Sequence, residues 1–149
     1  MPTHYAGEER ERRALNAYIT LMRASDACFA VLERELLPRD LTSTQLGVLE
    51  ALLHLGPLCQ GELSQKLLRT GASTTSVVAG LERRGLVVRQ RTREDLRFVR
   101  VALTGRGRRL IEGVFPAHVQ SICRLLGTLT AVEQEELRRL CRKLGTSVA

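Results

Sequence analysis

Leu81-Glu82-Arg83-Arg84-Gly85-Leu86-Val87-Val88-Arg89-Gln90-Arg91 is the stretch where this chain changes period. Upstream of it, Val77, Val78 and Leu81 recur at helical spacing. Downstream, Leu86 to Arg91 favours a strand. Gly85 stands between them, where a helix ends on a left-handed residue. Working backward, the pattern predicts a helix from about Ser73 to Arg84 and a tight turn at Thr70-Gly71-Ala72. Before the turn comes a short helix from about Gln60 to Leu68, with Leu63 and Leu67 inward. Two short helices across a turn containing Gly form a helix-turn-helix. Working forward, Thr92 to Asp95 is a polar turn. Leu96 to Leu103 then alternates, with Val99, Val101 and Leu103 on one face. A β-hairpin directly after a helix-turn-helix is the order of a winged helix.

Long amphipathic segments flank this unit. From about Glu8 to Leu37, Leu15, Tyr18, Ile19, Met22, Phe29 and Leu36 keep three-and-four spacing, which Asp26 interrupts. Pro38 and Arg39-Asp40 break that helix. Thr42 to Gln45 is a capping box that opens a helix through Leu46, Leu49, Leu52 and Leu53, closed by Gly56-Pro57. Thr104 caps a later helix, in which Pro116 is predicted to make a kink or a local break. Thr130 to Glu133 is a second capping box, opening a last helix that ends at Gly145. The expected fold is mainly α with a small β-hairpin wing. It is one domain over 1–149, with a winged helix-turn-helix at 42–103 and helical arms at 8–38 and 104–145. Arms this long need a partner to cover their apolar faces. The simplest is a second copy of the chain, giving a homodimer.

Charge is concentrated in the same window. Ten arginines fall between Leu81 and Leu110 with only three acids, so these residues carry +7, the net charge of the whole chain. A neutral protein with one basic segment points to a polyanion, because clustered cations release condensed counterions from nucleic acid. Five Phe and Tyr in 149 residues are too few for a single-strand stacking surface. No apolar run approaches a membrane span, and the charged N-terminus is not a signal peptide, so a cytoplasmic location without membrane association is expected. Cys28, Cys59, Cys123 and Cys141 show no CxxC pairing, which argues against a zinc site, and no other metal or cofactor is expected. No nucleophile-base constellation or phosphate loop is present, and the three histidines do not cluster, so no enzymatic activity is expected.

These residues resemble the MarR family of bacterial transcription regulators. Asp95-Leu96-Arg97, Val101, Leu103-Thr104 and Gly107 match the family's D-x-R…V-x-L-T-x-x-G wing pattern with the same spacing. Leu81 to Val87 matches the end of its recognition helix. Leu41-Thr42-x-x-Gln45 and Gly56-Pro57-Leu58 match its second helix and exit. Leu67 to Gly71 and Val114-Phe115-Pro116-x-His118 are similar to the branch containing repressors that respond to hydroquinones and catechols. The chain departs from that branch at Gly71-Ala72 and Ala79-Gly80. The resemblance implies a homodimeric, ligand-released repressor that binds a pseudo-palindromic duplex operator. It places Arg97 at the wing tip in the minor groove.

Site residues follow from both readings. Ser73, Thr74, Thr75 and Ser76 open the recognition helix, one of them (Ser73) as its N-cap and at least two of them on DNA. Arg89, Arg91 and Arg93 are expected on phosphates, which fix register rather than sequence. Asp95 is expected to hold Arg97 or the turn by a charge-assisted hydrogen bond. Met22, Asp26, Phe29, Leu49, His54, Phe115 and His118 could line an effector crevice for a small phenolic or aromatic ligand, with packing as the alternative for each. Cys59, beside the start of a helix whose dipole favours a thiolate, offers an alternative function as an oxidant or electrophile sensor.

Overall fold

The computed structural model describes residues 2–67, 71–91 and 99–147. The elements in chain order are α1 (Glu9–Leu36), a 3-10 turn (Leu37–Arg39), α2 (Ser43–Leu55), β1 (Leu58–Cys59) and α3 (Gln60–Leu67). They continue with α4 (Gly71–Arg83), β2 (Val87–Arg91), β3 (Val99–Leu103), α5 (Gly105–Leu126) and α6 (Ala131–Thr146). The architecture is mainly helical with one three-stranded antiparallel sheet in the order β1-β3-β2. The core gathers Leu46, Leu49 and Leu52 of α2, Leu63 of α3, Val78 and Leu81 of α4, and Val101 of β3 against Ile111 and Val114 of α5.

Local hydrogen bonding explains most of the boundaries. Thr42 and Gln45 close a complete capping box on α2, and Thr130 and Glu133 do the same on α6. A third box, Glu8 with Glu11, opens α1. The chain leaves α1 at Leu36, with Asp40 in the left-handed region at φ 51°. At the other end of the reading half, Gly85 has φ +68°. Its N–H donates to Glu82 O at 2.9 Å, and the Leu86 N–H donates to Leu81 O at 3.0 Å, a Schellman closure of α4.

Two expectations need correction. First, Gly71 and Ala72 are not in a turn: α4 begins at Gly71, so Ser73 lies inside the helix and does not cap it. Glycine's helix penalty belongs to helix interiors and weighs little at a first position. Second, β1 was not expected. It exists because Leu58 and Cys59 pair with Val101 and Arg100, a contact across about forty residues that no local pattern announces. Of the two outcomes expected at Pro116, the local break is absent: α5 runs through it as one helical span. The expected turn at Thr92 to Asp95 and the start of the second strand lie outside the described residues.

The Leu103-Thr104-x-x-Gly107 motif now has a physical reading. The Thr104 hydroxyl caps α5 by accepting from Gly107 N at 3.0 Å, and it donates to Gly85 O at 2.6 Å. A Cβ on Gly107 would stand 1.9 Å from the Leu86 carbonyl oxygen. The start of α5 is thus pressed onto the end of α4. Gly107→Ala is expected to lower stability by about 3 kcal/mol, because backbone would have to move. Gly113→Ala, on the same helix with nothing near the added methyl, is expected to raise it by about 0.5–1 kcal/mol. Chemical denaturation of both variants checks this reversal of sign.

Candidate nucleic-acid interface and effector crevice

The start of α4 separates its four hydroxyl residues by helical phase. Thr74 is fully buried, in line with Val78 and Leu81, while Thr75 and Ser76 are exposed and Ser73 is half-buried. The Ser64 hydroxyl of α3 lies 2.9 Å from Thr74 Oγ1 and 3.0 Å from the Gln60 carbonyl oxygen. Thr74 therefore joins the two helices from inside, and the expectation that it faces outward is corrected. The spacing 74, 78, 81 was the available signal, hidden by reading Ser and Thr only as polar. One turn outward, Gln60 Nε2 donates to Thr75 Oγ1.

The ten arginines do not make one surface. Cross-strand partners share a sheet face. Arg89 and Arg91 stand opposite Val101 and Val99, on the face whose other members, Val87 and Leu103, turn toward the core. Arg89 reaches back to Glu82 of α4 at 3.4 Å, so part of its charge is already engaged. Gln90 stands opposite Arg100 on the other face. Arg83, Arg84, Arg106, Arg108 and Arg109 lie at the opposite end of α4, about 20 Å from its first turn at 1.5 Å per residue. There Arg84 contacts the Asp40 carboxylate at 3.7 Å and Arg108 contacts Glu112 at 3.6 Å. Arg93, Asp95 and Arg97 lie outside the described residues.

Arg100 and Gln60 are functional candidates that sequence reading missed. β1 brings them together, because Cys59 pairs with Arg100 and precedes Gln60. Cys59 is half-buried, and its backbone N–H donates to Glu62 Oε2 at 2.7 Å. That bond, a second one from the Cys59 thiol and the nearby Arg100 charge hold the Glu62 carboxyl below the usual carboxylate range. The thiol is therefore tied into the joint between α3 and the wing.

A crevice of about 440 Å³ opens between the end of α1 and the middle of α5. Leu36, Val114 and Ala117 give it apolar walls, and Arg39, His118 and Ser121 give it polar groups. Arg124 closes one side, 3.3 Å from Glu35 and 2.8 Å from Ser121 Oγ. His118 is the sequence-derived ligand residue that lines it. Phe115 stands beside His118 with ring centroids 6.5 Å apart, and meets His54 edge-on at 5.3 Å. Leu49 is core. Met22 and Asp26 are exposed on α1, and Phe29 lines a separate small hollow with Ser43, Thr44 and Leu67. Glu35, Arg39, Ser121 and Arg124 were missed because the crevice joins helices some eighty residues apart. Among the described residues no group of His, Cys, Asp or Glu could hold a metal ion, and no helix is long and apolar enough to cross a membrane.

A helix-turn-helix with an antiparallel wing, an exposed hydroxyl-bearing helix start and adjacent arginines defines a winged-helix DNA-binding regulator. Residues 39–97 match the MarR family. Over 138 residues the chain is 31% identical to the transcriptional regulator YkoM of Bacillus subtilis, covering 93% of this chain and 90% of that one. AbsC, a MarR family regulator of Streptomyces coelicolor, superimposes with a TM-score of 0.85 at 20% identity over 98% of each chain. BpsR of Bordetella bronchiseptica, whose DNA binding is regulated by 6-hydroxynicotinic acid, gives 0.78 at 27% identity, over 87% of this chain and 98% of that one. The chain belongs to the MarR family of DNA-binding transcriptional regulators.

His118 makes the crevice sensitive to pH. Its Nδ1 is buried without a hydrogen-bond partner among the described residues. Burial lowers the ring's pKa below the usual histidine value, and the Glu35 charge only partly offsets this. A folded-state pKa below the unfolded one means that the unfolded chain binds more protons. The His118 contribution to stability is therefore present above about pH 6.5 and is lost as the pH falls. Melting temperatures are expected to drop between pH 7 and 5 in the parent, with a shallower drop in His118→Gln.

Proposed function

We propose that this protein is a cytoplasmic homodimeric repressor that binds a pseudo-palindromic operator and is released by a small phenolic or aromatic ligand. Residues 42–103 form the DNA-binding part, with the segments 8–38 and 104–145 as dimerisation arms. The observation that carries the DNA reading is the exposure of Thr75 and Ser76 on the first turns of α4, beside the basic wing. Such a turn approaches base edges in the major groove. Ser73 lies at its edge. Arg91, Arg93 and Arg100 hold phosphates, with Arg89 assisting from beside Glu82. Arg97 enters the minor groove, steadied by Asp95.

The arms supply the case for a dimer. α6 is sixteen residues long and buries none of them. Val132 is 80% exposed, Leu144 53% and Leu140 48%, and on α1 Tyr18 is 62% exposed and Met22 41%. An isolated helix of that length is marginal in water, so α6 draws its stability from a partner surface. Leu140→Lys is expected to convert the dimer to a monomer, measured by sedimentation at micromolar concentration. A parent chain that is itself monomeric there defeats the dimer reading.

The effector reading rests on the crevice. Its apolar walls suit a ring, while Arg39 and His118 suit a hydroxyl or carboxylate substituent. The likeness to BpsR and to the hydroquinone- and catechol-responsive branch supports the same chemistry. Met22, Asp26 and Phe29, exposed on α1, do not line this crevice in the single chain. The experiment is selection of genomic fragments on the protein, repeated with phenols, hydroxylated aromatic acids, quinones and oxidants. A second reading, release through a thiol, draws on the contact of the Cys59 thiol with Glu62 at the joint of α3 and wing. Replacing all four cysteines by Ser separates the two: continued release by phenols keeps the pocket, and loss of every response moves the switch to a thiol.

The split of the arginines generates a further expectation. Arg91→Ala and Arg100→Ala should each reduce the slope of log affinity against log salt by about 1.8, the effect of two phosphate contacts, one from each subunit of the dimer. Arg106→Ala and Arg109→Ala, at the far end of α4, should leave the slope unchanged. Titrations of labelled operator at several salt concentrations read both.

A further inference from the structure

We propose that Gln60 is a specificity-determining positioning residue, which sets how Thr75 faces the operator. The inference rests on the reading of Thr75 as a DNA-contacting residue. A threonine in a helix divides between two side-chain rotamers, because its hydroxyl can also bond a carbonyl of its own preceding turn. Rotation from one to the other moves one of the two groups, hydroxyl or methyl, into the place the other held and carries that other group to the third staggered position. The two groups read different things: the hydroxyl pairs with polar base edges or phosphate, and the methyl packs on the thymine methyl. Whatever selects the rotamer selects the base preference.

Gln60 is placed to make that selection. Its Nε2 donates to Thr75 Oγ1 across the gap between α3 and α4. The residue is itself held from both sides along the chain. Its carbonyl accepts from Ser64 at 3.0 Å, and its neighbour Cys59 is paired with Arg100 and bonded to Glu62. A merely structural role is already filled one turn inward, where Ser64 meets the buried Thr74 at 2.9 Å and clasps the same two helices. The outer contact adds little to that clasp, since a neutral, solvent-exposed hydrogen bond contributes little net stability. Its consequence falls on the group presented to DNA. It also ties the wing to the reading helix, because Arg100 and Gln60 sit on adjoining ends of one short strand pairing.

The test is a double-mutant cycle with Gln60→Leu and Thr75→Val, read by fragment selection, operator affinity and melting temperature. Ser64→Ala is the structural comparison. Each single variant is expected to weaken operator binding about fivefold and to shift preference at the same position of the half-site. The double variant should be no weaker than either single one, with the melting temperature of Gln60→Leu close to the parent's. Ser64→Ala should lower the melting temperature without moving the preference. Effects that multiply to about twenty-five-fold overturn the proposal. So does a Gln60→Leu variant with parental preference when Thr75→Val has changed it. If Thr75→Val itself leaves the preference unchanged, the reading of α4 falls first, and Gln60 has nothing to position.

Discussion

The close approach of α5 to the end of α4 is the constraint on which the rest depends. Gly107 lets the first turn of α5 sit against the Leu86 carbonyl, at a separation no other residue type tolerates. Thr104 uses one hydroxyl to cap α5 and to bond Gly85. Gly85 in turn closes α4 in a conformation that favours glycine. The recognition helix, both long strands and the helix leading away are therefore referred to one junction. If it loosened, the angle between wing and α4 would no longer be fixed, and a reading surface needs that angle.

The junction also divides the charge. A linear count sees ten arginines in thirty residues and suggests one surface. The fold sends the chain down α4, out along β2, back along β3 and into α5, so residues at the two ends of the window meet at the junction. Arg100, from the middle of the window, stands nearer the reading turn, paired with Cys59 just before Gln60. Arg106, Arg108 and Arg109 open α5 without an acid in its first turn, which is the unfavourable end of the helix dipole for a cation. Charge placed there does not stabilise the helix, and it lies too far from the start of α4 to share its ligand.

What was legible in the sequence was local. The boxes at Thr42 and Thr130, the cap at Thr104 and the glycine end at Gly85 each depend on residues within five positions of one another. Each could be read before any fold was known. Thr74 was misread because hydroxyl residues at a helix start suggest exposure, whereas helical phase puts this one inside with Val78 and Leu81. β1 is two residues long and exists only through β3, so its pairing, and the meeting of Gln60 with Arg100, could not be found by period. The crevice was legible in one residue, His118, because it exists only where the end of α1 meets the middle of α5, and no local pattern shows which α5 residues face that meeting.

α5 is the element that the reading half, the crevice and the arms share. It starts at the junction, passes His118 and Ser121 along the crevice and ends at Leu126, about 33 Å away at 1.5 Å per residue. A ligand shifts a regulator only by binding its two states unequally. A ligand lodged between α1 and α5 does so when it favours one angle between them. With no slack at Gly107, a change in that angle carries the wing and α4 along. Pro116 lies on this path, between Gly107 and the crevice residues His118 and Ser121. It lacks the N–H that would complete the helical ladder, so bending α5 there breaks one hydrogen bond fewer than bending it elsewhere. The proline that left the helix unbroken thus gives it a point of compliance between the crevice and the end of α5 that adjoins α4.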